Sequence, residues 1–122
     1  IDFIVPCIDL DQKIALSLRS IESQTYAKLR VIVSINKKGL FTKQLQNNDF
    51  FSDFLIDLKI IDASEANGAG FARNMAIKEG NSPLIAFLDC GDEFSPCHLK
   101  EAVEKLTNNN GDIYYCSYAN QN

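Results

Sequence analysis

Residues 84 to 93 read LIAFLDCGDE. Five apolar residues give way to three acids, a cysteine and a glycine within the next five positions. The apolar half reads as a strand. The acidic half is either a polar turn that caps the next helix or a set of carboxylates held out to a ligand. Spacing alone divides these two readings evenly, so the decision rests on what kind of sheet the strand belongs to.

Working outward, short β-rich runs alternate with helical stretches. Phe3 to Pro6 is a short apolar strand expected to stop at its proline. From Asp11 to Thr25, Ile14, Leu18 and Ile21 recur at helical spacing. Leu29 to Ile35 (LRVIVSI) is β-branched and almost continuously apolar, as in a strand covered on both faces. The adjoining NKKG makes a turn. Residues 40 to 57 are hard to read and accommodate a short helix, a loop or both. Leu58 to Ile61 is a further strand, and Ala66 to Glu79 a glycine-opened helix closed by Gly80. Ser95 and Pro96 are expected to open the last helix as N-cap and first turn, with Leu99, Val103 and Leu106 on its apolar face. Ile113 to Tyr118 reads as a fifth strand.

Strands alternating with helices imply βαβ units: an α/β, mostly parallel sheet with helices on both faces. Ligands of such sheets bind beyond the carboxyl ends of the strands. The residues to inspect are therefore Cys7-Ile8-Asp9, Asn36-Lys37-Lys38, Asp62-Ala63 and Asp89 to Glu93.

Bulk properties narrow the classes. The 122 residues make one domain over 1–122, large enough for one core. Hydrophobic content of 46% with 23% charged residues is ordinary globular composition. A net charge of −4 with no basic stripe argues against a nucleic-acid binder. No apolar run approaches the ~18–20 residues of a membrane span, and no signal segment leads the chain. The first residue is Ile1, so a residue or a longer segment is expected before it. Four scattered cysteines read as reduced thiols in a cytoplasmic protein. Zinc on Cys90, Cys97 and His98 fits no common ligand spacing.

Three stretches can carry chemistry. In NGAGFARN (67–74), Gly68 and Gly70 permit close backbone approach, and Arg73 is a fixed charge within reach of a phosphate or an acid. Read alone, two glycines before a helix are more often a turn, and such an arginine more often a surface ion pair. In FLDCGDE, Asp89 stands directly after the strand, and Asp92 and Glu93 come after a flexible Gly91; hard divalent ions take such carboxylates. In the first loop, Asp9 is placed either to accept from a base or ribose or to cap the helix near Asp11. Cys7 as a nucleophile lacks a nearby histidine.

Together these segments resemble the family 2 glycosyltransferases, with their nucleotide-sugar-binding fold of the GT-A type. IDFIVPCID is similar to the family's opening strand and loop, and SLRSIESQTYAKLRVIV to its first helix and second strand. GAGFARNMAI is similar to the Gly-x-x-x-Ala-Arg-Asn stretch, with Ala72, Arg73 and Asn74 matching. LIAFLDCGDEFSP resembles the strand and Asp-x-Asp loop. The resemblance runs nearly the whole chain, with four pieces in the right order.

It implies a Rossmann-like GT-A fold, truncated relative to the family, and a donor site for a nucleoside-diphosphate sugar. Pro6, Asp9, Asn36, Arg73 and Asp89 would line that site. Asp89 and Asp92 would hold a divalent metal, Mn²⁺ or Mg²⁺. A glycan, glycolipid or protein would be the acceptor, in an inverting transfer. Two departures stand out. Gly91 occupies the place of the second Asp-x-Asp carboxylate, and Asn36 the place of an acid that meets the nucleotide base. The family's acceptor site and catalytic base lie beyond the Asp-x-Asp loop, so these 122 residues alone are expected to be inactive: a truncated form, one piece of a larger protein, or a domain that no longer performs transfer. The full-length protein is expected in the cytoplasm or at the membrane surface, and an edge left by a missing half invites self-association. The opposing reading is a degenerate, non-catalytic GT-A-like module for binding or scaffolding. A nucleotidyltransferase would need a glycine- and lysine-rich opening loop that this chain lacks. Tyr114, Tyr115 and Tyr118 are either acceptor-cleft aromatics or core packing.

Overall fold

The computed structural model describes residues 1–26, 28–41 and 49–117. Its element order is β1 (Asp2–Cys7), α1 (Gln12–Glu22), β2 (Arg30–Ile35), α2 (Asp49–Ser52), β3 (Asp57–Asp62), α3 (Ala69–Glu79), β4 (Ile85–Phe87) and α4 (His98–Asn108). The strands form one sheet in the order β3-β2-β1-β4. Every neighbouring pair is parallel, with Asp2 opposite both Arg30 and Ile85, and Arg30 opposite Asp57. The expected parallel α/β sheet is therefore present.

Alternation along β1 and β2 sends side chains to two layers. Phe3, Val5, Cys7, Val31, Val33 and Ile35 face one side and pack with Ile14, Leu18 and Ile21 of α1. All three of these α1 residues are fully buried, so the helical spacing read from the sequence is the buried stripe. Leu99 of α4 and Phe51 and Phe54 join the same layer. On the other side, Ile4 and Ile32 meet Ala76 of α3. Ala72 and Ala76, one turn apart, are both buried, and their small side chains let α3 lie close to the sheet.

The strand does not stop at Pro6, because β1 continues to Cys7. Even-numbered residues of β1 bond toward β4: the Asp2 N–H donates to Leu84 O and the Leu88 N–H to Ile4 O. Pro6 falls on that side beyond the last paired residues, Ile4 and Phe87, so its missing N–H interrupts none of the rungs between β1 and β4.

At the opposite end of the sheet, the buried Asp2 carboxylate accepts the Asn81 N–H (2.9 Å), the Ser82 N–H (3.0 Å) and the Ser82 hydroxyl (2.9 Å). A Cβ at Gly80 would collide with this carboxylate. Gly80 does close α3, but at φ −91° rather than in the left-handed region; glycine is needed there for the close approach.

Other expectations need adjusting. α3 begins at Ala69, after a turn in which the Ala66 N–H reaches Ala63 O. α4 begins at His98 with Cys97 as its cap residue, and Ser95 and Pro96 form the preceding turn, with Ser95 O accepting the His98 N–H. In the segment between β2 and β3, the helical piece is α2; residues 42–48 lie outside the described residues. The fifth strand is absent over residues 113–117, and Tyr118 lies outside the described residues. Residues 113–117 instead come after α4, where Tyr114 meets the edge of the His98 ring (5.8 Å) and the Lys105 ammonium (5.9 Å). Ile113 and Tyr115 are exposed, and this apolar, aromatic run pairs with neither edge strand of the sheet, β3 or β4.

Candidate functional site

The carboxyl ends of β1, β2 and β4 carry the residues singled out by the sequence. The Asn36 N–H donates to Cys7 O (2.8 Å), joining the first and second loops. Above that bond the Lys37 ammonium meets the Asp9 carboxylate at 2.8 Å. Asp9 does not cap α1. That role belongs to Asp11, whose carboxylate accepts the Lys13 N–H (2.9 Å), so Asp9 remains on the loop. At the end of β3, the Asp62 carboxylate accepts the Ser64 N–H (2.9 Å). Ser64's side chain and backbone hold Asp62 below the usual carboxylate range, which marks it as a turn former.

The acidic stretch after β4 is a tight turn. The Asp92 N–H donates to Asp89 O (3.0 Å), and Gly91 takes φ +94°, which suits glycine. The Asp89 carboxylate projects from one corner and pairs with the Arg73 guanidinium at 2.7 Å. Arg73 is thus an ion-pair residue, as its type alone suggests, but its partner is the acid expected to face the ligand. Asp92 stands at the other corner of the turn and is exposed.

This turn hangs from α1. Ser17, fully buried, donates its hydroxyl proton to Asp92 O (2.7 Å), lies 3.3 Å from Asp89 O and accepts the Gly91 N–H (2.9 Å). One turn on, the Ser20 hydroxyl donates to Ser17 O (2.8 Å) and accepts the Phe94 N–H (3.3 Å). The Gln24 side chain donates to Ser95 O (2.8 Å) and accepts the Leu99 N–H (3.1 Å). A polar row on α1 and just beyond its end therefore fixes the whole segment from Asp89 to Leu99. Sequence reasoning missed Ser17 and Ser20. The available signal was a pair of hydroxyls at helical spacing beside Leu18 and Ile21.

Two thiols lie at the base of the site. The Cys90 thiol donates to Pro6 O (3.2 Å) and the Cys7 thiol to Asp9 O (2.7 Å). They also contact each other: hydrogen bonding with Cys90 pulls the Cys7 thiol down, while the same contact and burial push Cys90 up. His98 is occupied elsewhere, stacked on Phe94 at 3.9 Å with its Nδ1 3.7 Å from Cys116 Sγ, and burial lowers its basicity.

Beside Arg73 runs an open groove of about 360 Å³ between α3 and β4, lined by Gly70, Phe71, Arg73, Asn74, Ile77 and Phe87. A Cβ at Gly68 or Gly70 would meet nothing within 4 Å, so both glycines leave the start of α3 open.

The protein-family model described as Glycosyl transferase family 2 matches residues 2–122. The chain belongs to that family. It is 31% identical over 120 residues to the Escherichia coli UDP-Glc:alpha-D-GlcNAc-diphosphoundecaprenol beta-1,3-glucosyltransferase WfgD, covering 97% of this chain and 45% of that protein. Its fold matches S. aureus TarS 1-349 in complex with UDP with a TM-score of 0.70 at 27% identity, over 88% of this chain and 32% of that one. A mannosyltransferase from Pyrobaculum calidifontis, PcManGT, in complex with GDP-Man and Mn²⁺, shares the fold with a TM-score of 0.70 at 21% identity, over 86% of this chain and 31% of that one. This family member therefore spans less than half the length of these relatives, and its fold is the GT-A fold.

The residues present fit a divalent ion poorly. Position 91 carries no side chain, and one Asp89 oxygen is already on a guanidinium. Among the described residues no three His, Cys, Asp or Glu side chains gather. Asp92 is left as the free carboxylate of the turn.

Proposed function

We propose that this chain is the donor-binding part of an inverting glycosyltransferase that moves a sugar from a nucleoside-diphosphate sugar to an acceptor hydroxyl of a glycan, glycolipid or protein. The observation that carries this reading is the Arg73–Asp89 pair, on the matched Ala-Arg-Asn and Asp-x-Asp stretches, meeting at the carboxyl edge of the sheet. Names of relatives support the donor class: the glucosyltransferase is named for UDP-Glc, and TarS was solved with UDP.

In this reading the Asp9, Asn36 and Pro6 loops border the nucleoside, and the turn at Asp89 to Asp92 faces the diphosphate. Ser17, Ser20 and Gln24 hold that turn before donor arrives, so its backbone needs no ordering on binding. Neither Asp9 nor Asp89 is assigned as the base that deprotonates the acceptor, since each is already engaged by a cation. The leaving diphosphate needs positive charge. The family resemblance supplies it through a divalent ion on Asp89 and Asp92, whereas the geometry of the turn favours a side-chain cation.

Gly91 also favours a second reading, a non-catalytic module that keeps the fold without transfer. Calorimetric titration with UDP, GDP and their sugars separates the readings. Nucleotide binding that Asp89→Ala weakens supports the donor site. Full-length protein that binds none of them refutes it.

A further inference from the structure

Lys13 lies where the second acid of the Asp-x-Asp loop would project. A Cβ built on Gly91 would sit 3.7 Å from both Cβ and Cδ of Lys13 and 3.8 Å from its Cγ. The aliphatic stem of Lys13 therefore runs along the bare face of the turn that carries Asp89 and Asp92. Lys13 is exposed, and among the described residues its ammonium forms no ion pair. By contrast, the cations around it are committed: Lys37 to Asp9 and Arg73 to Asp89.

We propose that Lys13 supplies the positive charge for the donor's diphosphate, so that nucleotide binding in this protein does not depend on a divalent metal. The inference rests on the donor-site reading above. Its chemistry is a balance of charge: a carboxylate holding a divalent ion presents one net positive charge to a phosphate, and a glycine beside a lysine presents the same. Asp89 does not upset that balance, because Arg73 neutralises it at 2.7 Å. The exposed Asp92 counts equally on both sides of the comparison, since it follows position 91 whether that position is acid or glycine. The placement is also mechanically sound. Lys13 is the second residue of α1, fixed by the Asp11 cap and by the same helix that holds the turn through Ser17. Lysine and turn thus move as one body. Gly91 places no side chain over the stem, which lies within ordinary contact distance of the point a Cβ would take.

The test is titration of the full-length protein with UDP and with GDP, in EDTA and in Mn²⁺, for wild type, Lys13→Met and Lys13→Arg. Methionine keeps the packing of the stem on Gly91 and removes the charge. The expected result is equal affinity in EDTA and Mn²⁺ for wild type, a loss of about tenfold in Lys13→Met, the size of one charged hydrogen bond, and recovery in Lys13→Arg. Binding that requires Mn²⁺, or that is unchanged in Lys13→Met, overturns this inference and leaves the donor site standing. Absence of nucleotide binding in every condition overturns both.

Discussion

Ser17 on α1 and Gly91 after β4, 74 residues apart, share a hydrogen bond of 2.9 Å at a fully buried hydroxyl. The acid turn is therefore positioned by a helix of the first βαβ unit rather than by its own short strand. Ser17→Ala leaves the Gly91 N–H and the Asp92 carbonyl without their partner. The expected cost is roughly 1–3 kcal/mol of stability, read by urea unfolding. A Ser17→Cys variant, with a weaker donor and acceptor, falls between the two.

Stability should also depend on pH through Asp2. Burial works against its charge, but the Ser82 N–H and hydroxyl, the Asn81 N–H and the nearby Arg30 outweigh burial and hold the carboxyl below its ordinary value. The folded value lies below the unfolded one. Its stabilising contribution is thus complete above the ordinary carboxylate range, near ~4, and is lost as pH falls through the folded value. Asp2→Asn removes the charge while keeping one acceptor oxygen. It should be less stable than wild type at pH 7, and the gap should narrow in unfolding curves taken below about pH 4.

The sheet and its helices were legible because their signals are local and periodic. Ile14, Leu18 and Ile21 repeat at helical spacing and are all buried, and LRVIVSI is apolar on both faces because both faces are covered. The turn at Asp89 was legible as an acid-bearing strand end. What held it was not, since the partners Ser17 and Gly91 are joined only by tertiary structure. The same limit explains IYYCSY. Its β propensity is real, but propensity does not make a strand pair: among the described residues the edges of β3 and β4 are open, and Tyr114 packs on His98 and Lys105 of α4 instead. Asp9 and Asp11 show the reverse: both are capping residue types two positions apart, and only the backbone decided that Asp11 caps α1.

Thiol chemistry should separate the four cysteines by position. Cys97 and Cys116 are exposed, Cys90 is half-buried against Pro6, and Cys7 is buried at the end of β1. Contact with Cys90 favours the Cys7 thiolate, yet a reagent must reach it first. Maleimide labelling of native protein followed by mass mapping should therefore modify Cys97 and Cys116 first and Cys7 only with unfolding. Fast native labelling of Cys7 would show that the β1 loop opens readily.

The Arg73–Asp89 pair gives the sharpest separation of function from stability. Both side chains are substantially exposed, at 32% and 58%, so breaking the pair should change unfolding free energy by no more than about 1 kcal/mol. Its effect on nucleotide binding should be larger, because Arg73 lines the groove beside α3 and Asp89 begins the turn that faces the diphosphate. Arg73→Ala frees Asp89 to repel the phosphates, whereas Asp89→Ala leaves Arg73 without the partner that orients it. Each single variant should lose affinity, and the double variant should lose less than the sum, with a coupling of about 0.5–3 kcal/mol. A double-mutant cycle by calorimetric titration with UDP and GDP measures it. Strict additivity would mean that the two residues meet in the free protein but do not act together on the donor.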